Sequence, residues 1–153
     1  MRLTKFSDYA LRVLLLAASQ REKNITVEET AKAFDISHGH LKKVVRLLSN
    51  HGYLNAERGR SGGYHLAREP DQINLGQVLR LTEPDFSIVE CYMPDNACGI
   101  TPFCKLPVVL DEALRAFMAV FDAHTLADVQ MNPGHFESLV AQDAPLTLRA
   151  AAG

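Results

Sequence analysis

The stretch Thr26–Asn50 reads TVEETAKAFDISHGHLKKVVRLLSN. Thr26 followed three residues later by Glu29 has the spacing of a capping box, where hydroxyl and carboxylate each satisfy a backbone donor that the first turn leaves orphaned. A short helix burying Val27, Ala31 and Phe34 is expected to follow, with a turn at Asp35-Ile36. Ser37 is placed to cap a second helix running to about Asn50. Leu41, Val44, Val45 and Leu48 share its inner face, and a 100° rotation per residue puts Gly39, Lys42, Lys43, Arg46 and Asn50 on the other side. Gly52 follows where a helix stop is needed. Two short helices joined by a tight turn, the second with a basic outer face, predict a helix-turn-helix.

Both flanks extend that reading. Upstream, Phe6, Tyr9, Ala10, Val13, Leu14 and Ala17 recur at helical spacing and predict a helix over Thr4–Ser19. Downstream, residues 53–57 and 64–67 are short strand candidates around the tip Arg58-Gly59-Arg60-Ser61-Gly62-Gly63, a hairpin with a long loop. Helix-turn-helix plus hairpin is a winged helix. Pro70 and Asp71 then punctuate the chain. Asn74 can cap a short helix carrying Leu75, Val78, Leu79 and Leu81, which Pro84 stops. Residues 84–104 read as a loop without regular structure, a length that usually marks a functional or a disordered segment.

A long helix is expected from Leu106 to about Ala123, with Pro107 tolerated in its first turn. Val108, Val109, Leu110, Ala113, Leu114, Ala116, Phe117, Met118, Val120 and Phe121 give it an apolar face too broad for one small neighbour. A partner subunit in a C2 homodimer accounts for that breadth. Thr125–Asp128 reads as one more capped turn. The expected architecture is mainly α: a winged helix-turn-helix with a β-hairpin wing, a cysteine-bearing loop and a long C-terminal dimerisation helix. Its expected parts are a DNA-binding domain over 1–70, a short helix and cluster-binding loop over 71–104, the dimerisation helix over 105–130, and a mobile tail over 131–153.

Charge supports the division. Residues 1–70 hold 12 Lys/Arg against 7 Asp/Glu, while residues 71–153 hold 4 against 11. The positive half suits a phosphate-facing surface. At the start of the second helix of the motif, Ser37, His38, Gly39 and His40 are candidates for reading base edges in the major groove of double-stranded DNA. Lys42, Lys43 and Arg46 follow as phosphate contacts. Arg58 and Arg60 flank Gly59 in the wing and suit a narrow minor groove. His38 and His40 are metal ligands by type, but at a groove-facing helix start hydrogen bonding is the expected role.

The chain's three cysteines, Cys91, Cys98 and Cys104, fall within fourteen residues at C-x6-C-x5-C spacing. Structural zinc prefers C-x2–4-C pairs, so the wider interval favours an iron–sulfur cluster, whose iron suits soft thiolates. Three thiolates leave a fourth ligand unspecified. A composition of 47% hydrophobic and 22% charged residues is ordinary for a globular chain. No eighteen-residue apolar run offers a membrane span, and no secretory h-region opens the chain, so a cytoplasmic location with reduced thiols is expected. Neither C-x-x-C nor an H-E-x-x-H, phosphate-loop or Ser/His/Asp pattern occurs. An enzyme is therefore not expected, and a thiol redox protein or electron carrier remains the alternative from another class.

The opening Met1–Arg12, the wing Arg58–Gly63 and the three-cysteine loop resemble the Rrf-type family of winged-helix iron–sulfur regulators, over roughly residues 1–130. Ile100–Cys104 and Thr125–Asp128 resemble its nitric-oxide-sensing branch most closely. That resemblance implies a homodimeric repressor that holds a palindromic operator and releases it when nitric oxide reacts with the cluster. It implies a 4Fe–4S cluster in preference to 2Fe–2S, held by Cys91, Cys98 and Cys104, with Asp8 from the other subunit as fourth ligand. Another branch, with a 2Fe–2S cluster, uses a His just after the third Cys, where this chain has Pro107. A regulator responding to iron supply or cluster status is the alternative within the family.

Overall fold

Thr26 caps as its spacing predicts: its hydroxyl accepts the Glu29 N–H at 3.1 Å while Glu29 Oε2 accepts the Thr26 N–H at 2.8 Å. A computed structural model describes residues 2–21, 23–57, 59 and 62–134. The helices are α1 (Lys5–Ser19), α2 (Val27–Phe34), α3 (His38–Asn50), α4 (Leu75–Thr82) and α5 (Leu106–Asp122). Strands β1 (Leu54–Glu57) and β2 (Gly63–Leu66) pair antiparallel, Leu54 opposite Leu66 and Glu57 opposite Gly63. The expected mobile tail lies outside the described residues from 135 onward.

Helix α1 forms the centre. Ala10, Val13, Leu14, Leu16 and Ala17 are fully buried, and the helix packs on α3, α4 and β2. Each large aliphatic side chain so buried contributes about 1.5–3 kcal/mol. Leu41, Val44, Val45 and Leu48 close the core from α3, as their periodicity predicts. On α2 the expectation needs correcting. Its buried residues are Thr30 and Ala33, whereas Val27, Ala31 and Phe34 are only half-buried. The reason is a long-range partner: Thr30 Oγ1 lies 2.6 Å from the hydroxyl of fully buried Tyr64. A tyrosine hydroxyl taken from water needs such a partner.

Tyr64 also sets the root of the wing. Its backbone exchanges hydrogen bonds with Ile25, at 3.0 and 2.9 Å, adding a bridge beside β2. A Cβ on Gly63 would stand 2.8 Å from the Ile25 carbonyl oxygen, so glycine is needed for that approach. At the end of α3, Gly52 takes φ +69°, and Arg68 donates to the carbonyls of His51 and Gly52 while its guanidinium stacks 4.7 Å over Tyr53. A cation thus satisfies carbonyls that the helix end leaves without partners.

Asn74 caps α4 through the Gln77 N–H, and the helix stops before Pro84. The far end of α5 is fastened beside it. Leu75 N–H donates to His124 O, Leu126 N–H donates to Ile73 O, and Arg80 holds both carboxylate oxygens of Asp122. Thr125 and Asp128 close the capped turn predicted for them, the Asp128 carboxylate accepting both the N–H and the hydroxyl of Thr125.

Candidate nucleic-acid interface and thiol loop

Ser37, His38, Gly39, His40, Lys42, Lys43 and Arg46 are all exposed, and Gly39, Lys42, Lys43 and Arg46 fall on the side of α3 opposite its buried residues. Ser37 occupies the cap position, yet its side chain makes no capping hydrogen bond. His38 Nδ1 stands 3.8 Å from Glu28 Oε1 on α2, and the His40 ring lies 6.1 Å from that of Tyr9 on α1. Between them Gly39 has, among the described residues, nothing within 4 Å of where a Cβ would sit. Arg58 and Arg60 lie outside the described residues; Gly59 between them is exposed at φ +120°.

Asp8 points away from the core on the first turns of α1. Arg12, one turn on, grips its carboxylate with Nη2 at 2.8 Å and Nε at 3.1 Å. The same guanidinium stands 5.9 Å from the Phe34 ring of α2. At the start of α1 the Thr4 N–H and hydroxyl both donate to Glu83 Oε1, at 2.8 and 3.1 Å. Glu83 ends α4, so the beginning of the Asp8 helix is tied to the point where the cysteine segment departs.

That segment is more ordered than its sequence suggests. Short 3₁₀ turns occupy Glu90–Tyr92 and Thr101–Phe103, a correction to the expectation of a loop without regular structure. Cys91 lies within the first turn and Cys104 directly follows the second. Around Cys98, Asn96 Oδ1 accepts the Cys98 N–H at 2.9 Å and Thr101 donates its hydroxyl to the Cys98 carbonyl at 2.8 Å. The Tyr92 hydroxyl donates to Asp111 Oδ1 on α5 at 2.6 Å, and this carboxylate contact, aided by partial burial, pushes the phenol up to about 12.

All three cysteines are free and half-buried. As a donor set they fit a thiolate-held iron–sulfur cluster: soft ligands, unspent in disulfides, on one short segment. Among the described residues of one chain, no three of His, Cys, Asp and Glu converge as a metal-holding group. A single subunit therefore does not itself assemble the cysteines with Asp8. Sequence reasoning passed over Tyr92, Glu83 and Arg12. Only the Asp8–Arg12 spacing, one helical turn, was open to it.

A basic helix-turn-helix with a hairpin wing, joined to a thiol-bearing segment and a long helix, defines a winged-helix DNA-binding transcriptional regulator. Residues 3–132 match Rrf2, described as an iron-dependent transcriptional regulator, and the chain belongs to that family. The HTH-type transcriptional regulator NsrR of Bacillus subtilis is 45% identical over 134 residues, covering 86% of this chain and 92% of the relative. NsrR of Bacillus licheniformis is 41% identical over 143 residues, covering 92% and 100%. Among solved structures, CymR, the global cysteine regulator of B. subtilis, superposes with a TM-score of 0.64 at 26% identity, covering 88% of this chain and 98% of that one. No helix of the described residues is long and apolar enough to cross a membrane.

Proposed function

We propose that this regulator is a homodimeric, cytoplasmic repressor that grips a palindromic operator and lets go when nitric oxide reaches an iron–sulfur cluster. The observation that carries the reading is the three free, half-buried thiols on one segment, which leaves α4 where Glu83 accepts from Thr4 at the start of α1 and is bonded to α5 through Tyr92. The similarity to NsrR proteins over nearly the whole chain supports it. Cys91, Cys98 and Cys104 would hold the cluster, 4Fe–4S in preference to 2Fe–2S, with Asp8 of the partner subunit as fourth ligand. When bound, it would supply iron reactive toward nitric oxide.

The chain's own residues do the rest. Asp8 and Arg12 are each more than two-fifths exposed. Such a pair contributes at most about 1 kcal/mol, so the carboxylate is readily drawn to a ligand bond. Residues 1–70 form the DNA-binding part, 71–104 the sensing segment and 105–130 the dimerisation helix. Val108, Val109 and Val120 are 65%, 60% and 60% exposed on α5, which supports a second copy covering that face. Ser37, His38, Gly39 and His40 meet base edges, while Lys42, Lys43 and Arg46, with Arg58 and Arg60 of the wing, meet the sugar–phosphate backbone and the minor groove. Two recognition helices must then stand about 34–36 Å apart to seat on one face of the duplex. The protein catalyses no reaction in this reading.

Oxygen-free reconstitution with iron and sulfide, followed by a nitric oxide titration in a gel-shift assay, tests the proposal. Operator binding should fall as nitric oxide is added; binding undiminished by excess nitric oxide would overturn it. The family's description as iron-dependent favours a second reading, in which the signal is iron supply. A stable 2Fe–2S spectrum with operator affinity that follows iron, and not nitric oxide, selects that one.

A further inference from the structure

Cys91 stands between two side chains, each of which reaches the part of the loop that carries another cysteine. On one side, Glu90 Oε1 accepts the N–H of Ala97, the residue before Cys98, at 3.2 Å. On the other, the Tyr92 hydroxyl donates to Asp111 Oδ1 at 2.6 Å and lies 3.0 Å from the Pro107 carbonyl oxygen. Both acceptors belong to the start of α5, which begins two residues after Cys104. Apolar packing offers this loop little: Met93, Ile100 and Phe103 are 43%, 65% and 88% exposed. Its shape is set by a few polar bonds.

We propose that Tyr92 is a positioning residue whose hydroxyl, anchored on Asp111 and Pro107, fixes Cys91 relative to the Cys104 end of the loop. Glu90 does the same toward Cys98, so the neighbours of one cysteine set its place against both others. A phenylalanine at position 92 keeps the ring and loses the anchor. The Asp111 carboxylate provides the stronger bond, since hydrogen bonds to an ionised acceptor are shorter and stronger than neutral ones. An asparagine there retains Oδ1 as an acceptor, whereas a leucine does not. The consequence for cluster binding rests on the function proposed above; the placement of Cys91 does not.

The test uses the full-length chain, kept reduced and free of oxygen, in four forms: wild type, Tyr92→Phe, Asp111→Asn and Asp111→Leu. Iodoacetamide alkylation of the cluster-free protein, read for each thiol by mass spectrometry, is the primary measurement. Tyr92→Phe and Asp111→Leu should speed Cys91 alkylation relative to Cys98 by roughly tenfold, the scale of one lost charge-assisted hydrogen bond. Asp111→Asn should stay nearer wild type, and the thermal midpoints should be similar. In reconstituted protein, the first two variants should release iron to a chelator faster. Unchanged Cys91 reactivity in Tyr92→Phe would overturn the proposal, as would equal acceleration at all three thiols with a lowered midpoint. Should wild type take up no iron, the cluster reading fails, and the alkylation pattern still decides the role of Tyr92.

Discussion

The imidazole of His40 faces the ring of Tyr9 at 6.1 Å between centroids and a tilt of 41°. His40 belongs to the first turn of the reading helix, and Tyr9 follows Asp8 on α1. The contact gives a side chain proposed to face the groove a backing from the helix that carries the proposed ligand. Aromatic pairs of this kind contribute about 0.5–1.5 kcal/mol beyond buried area. Tyr9→Leu should therefore weaken operator binding by up to about tenfold, the factor that 1.4 kcal/mol represents. A titration by fluorescence anisotropy that overlays wild type would show that His40 needs no backing.

Among the described residues, nothing around Gly39 requires a glycine. A Cβ there meets nothing within 4 Å, and the residue lies inside a regular helix. Alanine is preferred over glycine in helices by up to about 1 kcal/mol. Gly39→Ala should hold or raise the thermal midpoint while reducing operator affinity, because the added methyl meets the duplex. Unimpaired binding by this variant would remove Gly39 from the interface.

Cys98→Ser tests the thiol set with little disturbance to the loop. The bonds from the Cys98 N–H to Asn96 and from Thr101 to the Cys98 carbonyl use backbone atoms, which the substitution keeps. The variant should fold, keep the wild-type oligomeric state and fail to acquire a full cluster spectrum on reconstitution. A wild-type spectrum and iron content would take Cys98 out of the ligand set.

The fastening of α5 has a signature in acid. The hydrogen bonds and charge of Arg80 hold the Asp122 carboxyl below its ordinary value of 3.8. A carboxyl lowered in the folded state adds stability that is complete above the unfolded value and lost as pH falls through the folded one. Below about pH 4, unfolding midpoints should decline more steeply for wild type than for Asp122→Asn, which lacks the titrating pair. Parallel acid limbs for the two proteins would contradict that assignment.

What the sequence made legible was local. The Thr26–Glu29 cap, the inner face of α3, the Gly52 stop and the Asn74 cap are each decided within a few residues, and each is present. The misjudged positions have distant partners. Thr30 can be buried because Tyr64, thirty-four residues on, supplies its hydrogen bond, while Val27 and Phe34 pack against the core half-buried. Ser37 has the right type and place for a cap but spends its hydroxyl on no capping bond. In the cysteine loop, spacing identified the thiols. The turns that hold them depend on Glu90, Asn96, Thr101 and Tyr92, polar residues without a periodic pattern.

Helix α1 lies against α3 and the β2 strand of the wing at once, and Ala10, Val13, Leu14, Leu16 and Ala17 on it are fully buried. A close-packed interior of that kind passes on displacement and does not absorb it. In the proposed DNA-binding mode, a pull on the Asp8 end therefore moves the recognition helix and the root of the wing as one piece, so major-groove and minor-groove contacts are expected to be lost together.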